Sequence, residues 1–371
     1  SWDTSSVINM SEMFFLAEEF NQDISNWDTS KVLNFNYMFS GSFGDRIYTK
    51  FDVDISNWDT SSATQMVGMF TMTAHFNQPI GSWDVSRVSN MSAMFLDAAS
   101  FNQPIGSWDV SNVKSMNSML QGADSFNQEL NDWDVSSVTD MTRLFAGANS
   151  FNKPLDKWDV SSVINMDAML GNLSFNQDIS SWDVSNVQIM KYMFEFNSSF
   201  NQDISSWDVS SVRDMEGMFK DARTFNRNLA PWNVSNVTTM LRMFKGAKAF
   251  NQNIGSWDVS NVQDMKEMFD GAESFNGNIT SWDLSSVVSV RDMFRYAKSF
   301  NQPIGDWSVS NIVDFAGLFN GAITFNQDIS NWDMSNAIDI MYMFNDNPVF
   351  NQDISAWDVQ KVTEMRYMFA N

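Results

Sequence analysis

The chain has no cysteine in its 371 residues, which excludes disulfides, thiolate nucleophiles and cysteine-based zinc sites together. Histidine occurs once, as His75, so multi-histidine metal sites are excluded, and a histidine-based catalytic triad, which would have to use that one residue in a variable turn, is not expected. No run approaches ~18 consecutive apolar residues, so no membrane-spanning helix is expected. Basic residues are scarce, 22 Lys+Arg against 45 Asp+Glu for a net charge of −23. A nucleic-acid backbone or an anionic membrane surface needs a basic stripe, and none is visible. Glycine and proline number only 16 and 6, too few for a flexible low-complexity chain. No phosphate-binding glycine loop is found.

What is present is repetition. The 15 tryptophans run from Trp2 and Trp27 to Trp332 and Trp357, almost all 25 residues apart. Two gaps deviate: Trp27 to Trp58 is 31 residues and Trp158 to Trp182 is 24. The added residues fall in Ser40–Lys50, and the deletion falls in Gly171–Ser174. Both lie at the same point of the repeat, which marks a surface turn. A stack of such units makes one elongated body, 1–371, with a six-residue turn insertion within 40–53.

In the copy from Phe101 to Ser125, Trp108 and Val110 alternate around Asp109, with Ile105 upstream. That spacing predicts a short strand. Val113, Met116, Met119, Leu120 and Ala123 then share one face of a helix with period near 3.6. Ser111 stands where a helix N-cap would, and Gly122, Gly147, Gly246, Gly271 and Gly321 suit helix C-termini. The expected fold is therefore an α/β repeat. It is a leucine-rich-repeat-like solenoid of about fifteen 25-residue units, with a parallel strand ladder on one face and short helical segments on the other.

The Ile-x-x-Trp-x-Val spacing matches the Leu-x-x-Leu-x-Leu core of leucine-rich repeats. A longer phrase runs Phe200-Asn201-Gln202-Asp203-Ile204-Ser205-Ser206-Trp207-Asp208-Val209-Ser210, followed by Val212, Met215, Met218 and Phe219. It closely resembles the BspA-like surface repeat family, and the resemblance covers the whole chain. It implies a leucine-rich-repeat-like solenoid on a cell-surface or secreted microbial protein, associated with adhesion and protein binding, and it brings no catalytic residues. The sequence departs from the pattern at Ser40–Val53, where Asp52-Val53 replaces Asn-Gln.

Three rows of residues are candidates for chemistry. An aspartate follows nearly every tryptophan, including Asp84, Asp109, Asp134, Asp159, Asp183 and Asp208. With tryptophan inward these carboxylates face out, and a stack ~5 Å apart repels itself. Bound cations, above all calcium with its preference for several oxygen ligands, would offset the repulsion. So would serine hydroxyls and backbone amides of the Asp-x-Ser step, or a basic partner. The asparagine of each Phe-Asn pair is expected to turn inward and fill backbone hydrogen bonds that the turns leave open. The tryptophan and Met-Phe rows are read as core.

Aspartates repeated in thirteen copies argue against one unique catalytic pair, so no enzyme and no resident cofactor are expected. The leading expectation is an extracellular or cell-surface repeat protein presenting a binding face to protein or cell-surface ligands. A rigid spacer, stalk or assembly subunit and a calcium-dependent adhesin are the alternatives. The repeat is already under way at Ser1-Trp2 and still running at Met368–Asn371. No terminal cap is evident, so part of a longer protein or end-on self-association is expected.

Overall fold

The computed structural model describes residues 2–371; Ser1, named above, lies outside them. It divides into two compact units, Ser1–Asn186 and Val187–Asn371. Each is a stack of similar coils with the apolar rows inside. In the first unit Ile105, Trp108, Val110, Val113, Met116, Met119, Leu120 and Ala123 are all buried, with Trp108 at 3% exposure. Asp109 between the inward Trp108 and Val110 is exposed. The alternation of that segment is as the sequence implies, and the tryptophan and Met-Phe rows are core.

Aromatic rings form continuous columns. Trp133, Trp158 and Trp182 stack at 6.5 Å with nearly parallel planes. Phe101, Phe126 and Phe151 form a second column at 5.9 and 6.1 Å. In the second unit Trp232, Trp257 and Trp282 repeat the first column at 6.4 and 6.5 Å, and Phe244, Phe269 and Phe294 form another at 5.6 Å. Buried indoles in both units also donate Nε1–H to the isoleucine or leucine carbonyl of the preceding coil, as Trp108 does to Ile80 at 3.2 Å and Trp257 to Leu229 at 2.9 Å. The polar atom that burial would otherwise strand is thus paired.

The expected secondary structure is corrected in both places. Trp108–Val110 is not a strand. It links two tight turns, closed by Trp108 N to Ile105 O and Val113 N to Val110 O. The parallel pairing between coils lies further on, as isolated bridges from Asn90 through Ser115 and Asp140 to Asn165, and from Ile189 through Asp214 and Thr239 onward to Glu364.

The helix expected from Val113 to Ala123 is likewise absent, and no α-helix or extended strand occurs among the described residues. Turns replace it. Met119 N, Gln121 N and Ala123 N reach back three residues to Met116, Ser118 and Leu120 O at 3.1–3.3 Å. The alternate groups, Met116, Ser118, Leu120 and Gly122 N, donate to the next coil at Asp140, Thr142, Leu144 and Ala146 O, 2.8–3.0 Å. Ser118 (φ 54°) and Gly122 (φ 67°) are left-handed, which places positive φ at the third residue of the turn, the type II signature.

The physical reason is spacing. Adjacent coils bridged as parallel strands lie ~4.8 Å apart, whereas packed helices need 8–10 Å between axes. A flat run of turns shares the spacing of the bridges and still spends every amide. The residue equivalent to Ser118 is left-handed in all fifteen coils, from Glu12 to Tyr367, although only Gly68, Gly217 and Gly317 are glycine there. Ser111 caps nothing; its N and Oγ both donate to Asp109 Oδ1, at 3.1 and 2.6 Å.

Candidate functional site

The aspartate row is closed on itself. Asp84, Asp109, Asp134, Asp159 and Asp183 in the first unit, and Asp208 in the second, are exposed. Each accepts the N–H of the serine two residues on at 3.0–3.1 Å. In Asp109, Asp134 and Asp159 the same oxygen also takes the serine hydroxyl at 2.6 Å. The serine side-chain bond, and after it the backbone bond, hold Asp84, Asp134 and Asp208 below the ordinary carboxylate range. Among the described residues no group of three or more Asp, Glu or His is placed to hold a metal ion.

The asparagines form a ladder, but at the surface rather than inward. Asn102 N donates to Asn77 Oδ1 at 2.9 Å, Asn127 N to Asn102 Oδ1 at 3.0 Å, and Asn152 N to Asn127 Oδ1 at 3.2 Å. In the second unit the row runs from Asn201 through Asn226, Asn251, Asn276, Asn301 and Asn326 to Asn351. The following glutamine adds a second strut, as where Gln128 Nε2 reaches Asn102 O and Oδ1, both at 2.9 Å. The glutamine's role was not legible from spacing alone. His75 is exposed in its turn.

The face that differs from copy to copy is the run of turns. Apart from the hairpin added after Ser40 and the shortened turn after Leu170, its backbone repeats from coil to coil, so the turn conformation itself does not dictate which side chains it carries. In the second unit the positions equivalent to Ser118 hold Tyr192, Gly217, Arg242, Glu267, Asp292, Gly317, Tyr342 and Tyr367. A charge network runs along this face. Asp270, nearly buried, receives Arg295 Nε and Nη2 at 2.9 and 2.7 Å and Lys245 Nζ at 3.0 Å. Glu267 takes Arg242 Nη2 at 2.7 Å and also Lys245. Burial alone would raise the Glu267 pKa, but hydrogen bonds from Arg242 and Lys245 outweigh it and hold it at about 2. Arg291 clamps Asp314 and Asp339 at 2.9 and 2.8 Å. Tyr192 donates to Glu216. Exposed apolar groups stand among these charges: Phe196 at 45%, Tyr296 at 46% and Val288 at 52%. Lys220 Nζ sits 4.9 Å above the Phe196 ring and pairs with Glu195 at 2.6 Å. A hollow of about 240 Å³ opens beside Arg291, Arg295, Gly317 and Tyr342. Aromatic rings and arginines on a polar ground are the composition of protein-contacting surfaces.

A family model matches the chain in five overlapping stretches, 1–47, 43–156, 139–243, 228–315 and 303–371, under the description "Mycoplasma protein of unknown function, DUF285". The chain belongs to the DUF285 family. No curated protein matches it. Among solved structures it is similar to a TLR13–ssRNA13 complex, at 11% identity and a TM-score of 0.26 over 89% of this chain; the chain spans about half, 52%, of that protein. It is also similar to a leucine-rich repeat protein from Bacteroides ovatus, at 10% identity and a TM-score of 0.30, covering 78% of this chain and 87% of that one. An internalin from Listeria monocytogenes matches at 10% identity and 0.17, over 67% and 80%. TM-scores at this level carry no fold assignment, and the DUF285 solenoid described above rests on its own hydrogen bonds. No helix among the described residues is long and apolar enough to cross a membrane.

Proposed function

We propose that this DUF285 chain is a non-enzymatic scaffold of the BspA-like kind, working outside the cell or on its surface, and that its run of turns is a binding face for a protein ligand. One observation carries the reading. At the position of Tyr192, Arg242, Glu267, Asp292 and Tyr342 the backbone is held at φ 54–58° whatever the residue, so the turn itself does not require those particular side chains. The rows that close each coil, by contrast, repeat almost without change. Exposed Phe196 and Tyr296 beside fixed arginine–carboxylate clamps supply anchors and orientation together. The spacer reading draws on the asparagine ladder, which ties coil to coil without any ligand.

Beads coated with the chain test the proposal. They should be retained on a cell monolayer, and the soluble chain should displace them. Retention no greater than that of beads coated with an unrelated acidic protein would remove the binding reading and leave the spacer.

A further inference from the structure

The six residues added after Ser40 are folded as firmly as the coils beside them. Ser42 and Ile47 exchange both backbone hydrogen bonds at 2.9 Å, and Gly41 N donates to Thr71 O at 2.8 Å. Ser42 Oγ donates to Asp45 Oδ2 at 2.8 Å, and Thr49 Oγ1 to Phe39 O at 3.0 Å. A Cβ on Gly41 would lie 1.9 Å from Ile47 O, so the close approach that shuts this hairpin admits only glycine. A loop tied down in this way has its ordering entropy already spent before any ligand arrives.

The hairpin holds up two aromatic rings, Phe43 at 55% and Tyr48 at 47% exposure. With Gly44, Arg46, Met72 of the next coil and Asp97 of the coil after it, they line a pocket of about 400 Å³. The Asp97 carboxylate lies over Gly122, where an added Cβ would be 1.9 Å from Oδ1. Among the described residues neither the Arg46 guanidinium nor the Asp97 carboxylate has an ion-pair or hydrogen-bond partner. Among the described residues no other coil carries this hairpin.

These groups restrict the chemistry of an occupant. Arginine offers only donors and ionised aspartate only acceptors. A wholly apolar ligand would strand both charges. A simple ion would satisfy one and be repelled by the other. An aliphatic amino-acid zwitterion matches the two charges but brings no flat apolar face to the rings, and an aromatic one is the rival that the titration has to exclude. A pyranose has all three features: a C–H face to lie on the aromatic rings, hydroxyl oxygens to accept from Arg46, and hydroxyl protons to donate to Asp97. We propose that the pocket between the 41–48 hairpin and Asp97 is a saccharide site that takes one pyranose unit. This site is separate from the face assigned above, and either assignment stands without the other.

The test is calorimetric titration of the full chain with methyl α-mannopyranoside, methyl β-galactopyranoside and N-acetylglucosamine, and with free leucine and free phenylalanine as the zwitterionic probes. At least one saccharide should bind saturably and neither amino acid should. Phe43→Ala should weaken that saccharide on the order of tenfold, the loss of one aromatic contact, and Asp97→Asn should weaken it too. Removing residues 42–47, which restores the 25-residue spacing, should abolish binding while circular dichroism reports an intact fold. Phe43 is exposed, so its variant carries the test even if the deletion misfolds. No binding by any of the three saccharides, binding that Phe43→Ala leaves unchanged, or binding of leucine or phenylalanine in their place would overturn the assignment.

Discussion

Replacing Asn102 by alanine tests whether the surface asparagine row holds the coils together. The change removes an Oδ1 that accepts Asn127 N at 3.0 Å and Gln128 Nε2 at 2.9 Å. Each such bond is worth about 0.5–1.5 kcal/mol net, and both sites are partly open to water, so a loss of about 1–2 kcal/mol is expected. In a cooperative unit of this size each kcal/mol moves the midpoint by about 2–4 °C, so thermal unfolding should fall by roughly 2–8 °C. The conservative partner is already present in the chain. Asp52 occupies the same place and accepts Asn77 N at 3.0 Å and Gln78 Nε2 at 2.8 Å. Asn102→Asp should therefore stay within about 0.5 kcal/mol of the parent, well under the loss of one bond. Circular dichroism melts of the three chains at neutral pH decide the matter. Equal midpoints for parent and Asn102→Ala, or equal damage from Asp and Ala, would refute the ladder as a stabilising device.

Three further outcomes follow from other parts of the structure. Ala168 is left-handed at φ 51°, so in urea unfolding Ala168→Gly should raise the stability by up to about 1 kcal/mol and Ala168→Val should lower it by more. Carboxyl groups such as Asp84 and Asp134, held low first by serine hydroxyls and then by backbone amides, have folded pKa values below their unfolded ones. Their contribution is complete above the unfolded value near 3.8 and disappears as pH falls through the folded value. Glu267 behaves the same way between 4.5 and about 2, so tryptophan fluorescence should show unfolding only below about pH 4. Closure of each aspartate on its own serine predicts the same melting midpoint in EDTA and in millimolar calcium; a rise specific to calcium would instead assign the row to a cation, by mass action.

The inward rows were legible in the sequence because Trp108, Val110, Met116 and Phe101 repeat with a period that only burial explains. The Asp-x-Ser closure was legible as one of three ways to quiet a carboxylate row. The helix was misread because Val113, Met116, Met119, Leu120 and Ala123 have the same spacing in a chain of turns as on a helix. Spacing does not record which amides turn along the stack. The glycines were a partial signal. Gly122 and its equivalents are left-handed as a helix end would be, and the left-handed position four residues earlier is glycine only at Gly68, Gly217 and Gly317 and elsewhere takes helix-compatible residues such as Ala168, Arg242 and Glu267, so it does not stand out from a helix pattern.

Some glycines also answer a neighbour. A Cβ on Gly217 would sit 2.5 Å from the Tyr192 ring, one on Gly68 would sit 2.4 Å from Tyr37, and one on Gly317 would sit 2.2 Å from Asp292 Oδ1. A large side chain at that position thus leans onto the next coil, where glycine makes room. The candidate face escaped the sequence reading for a related reason. Its residues share no type, and only the common backbone conformation brings them into one row.

The central functional claim is that the turn face, and not the aspartate row, meets the ligand. Retention of coated beads on a cell monolayer tests it with two variants. One carries Phe196→Ser and Tyr296→Ser, both at exposed positions; the other carries Asp84→Asn, Asp109→Asn and Asp134→Asn, which keep the acceptor oxygen. The first variant should lose retention on the order of tenfold or more, as truncated interface anchors do, while the second keeps it. Retention that survives the first variant and is lost in the second would contradict the account and move the binding site to the aspartate row.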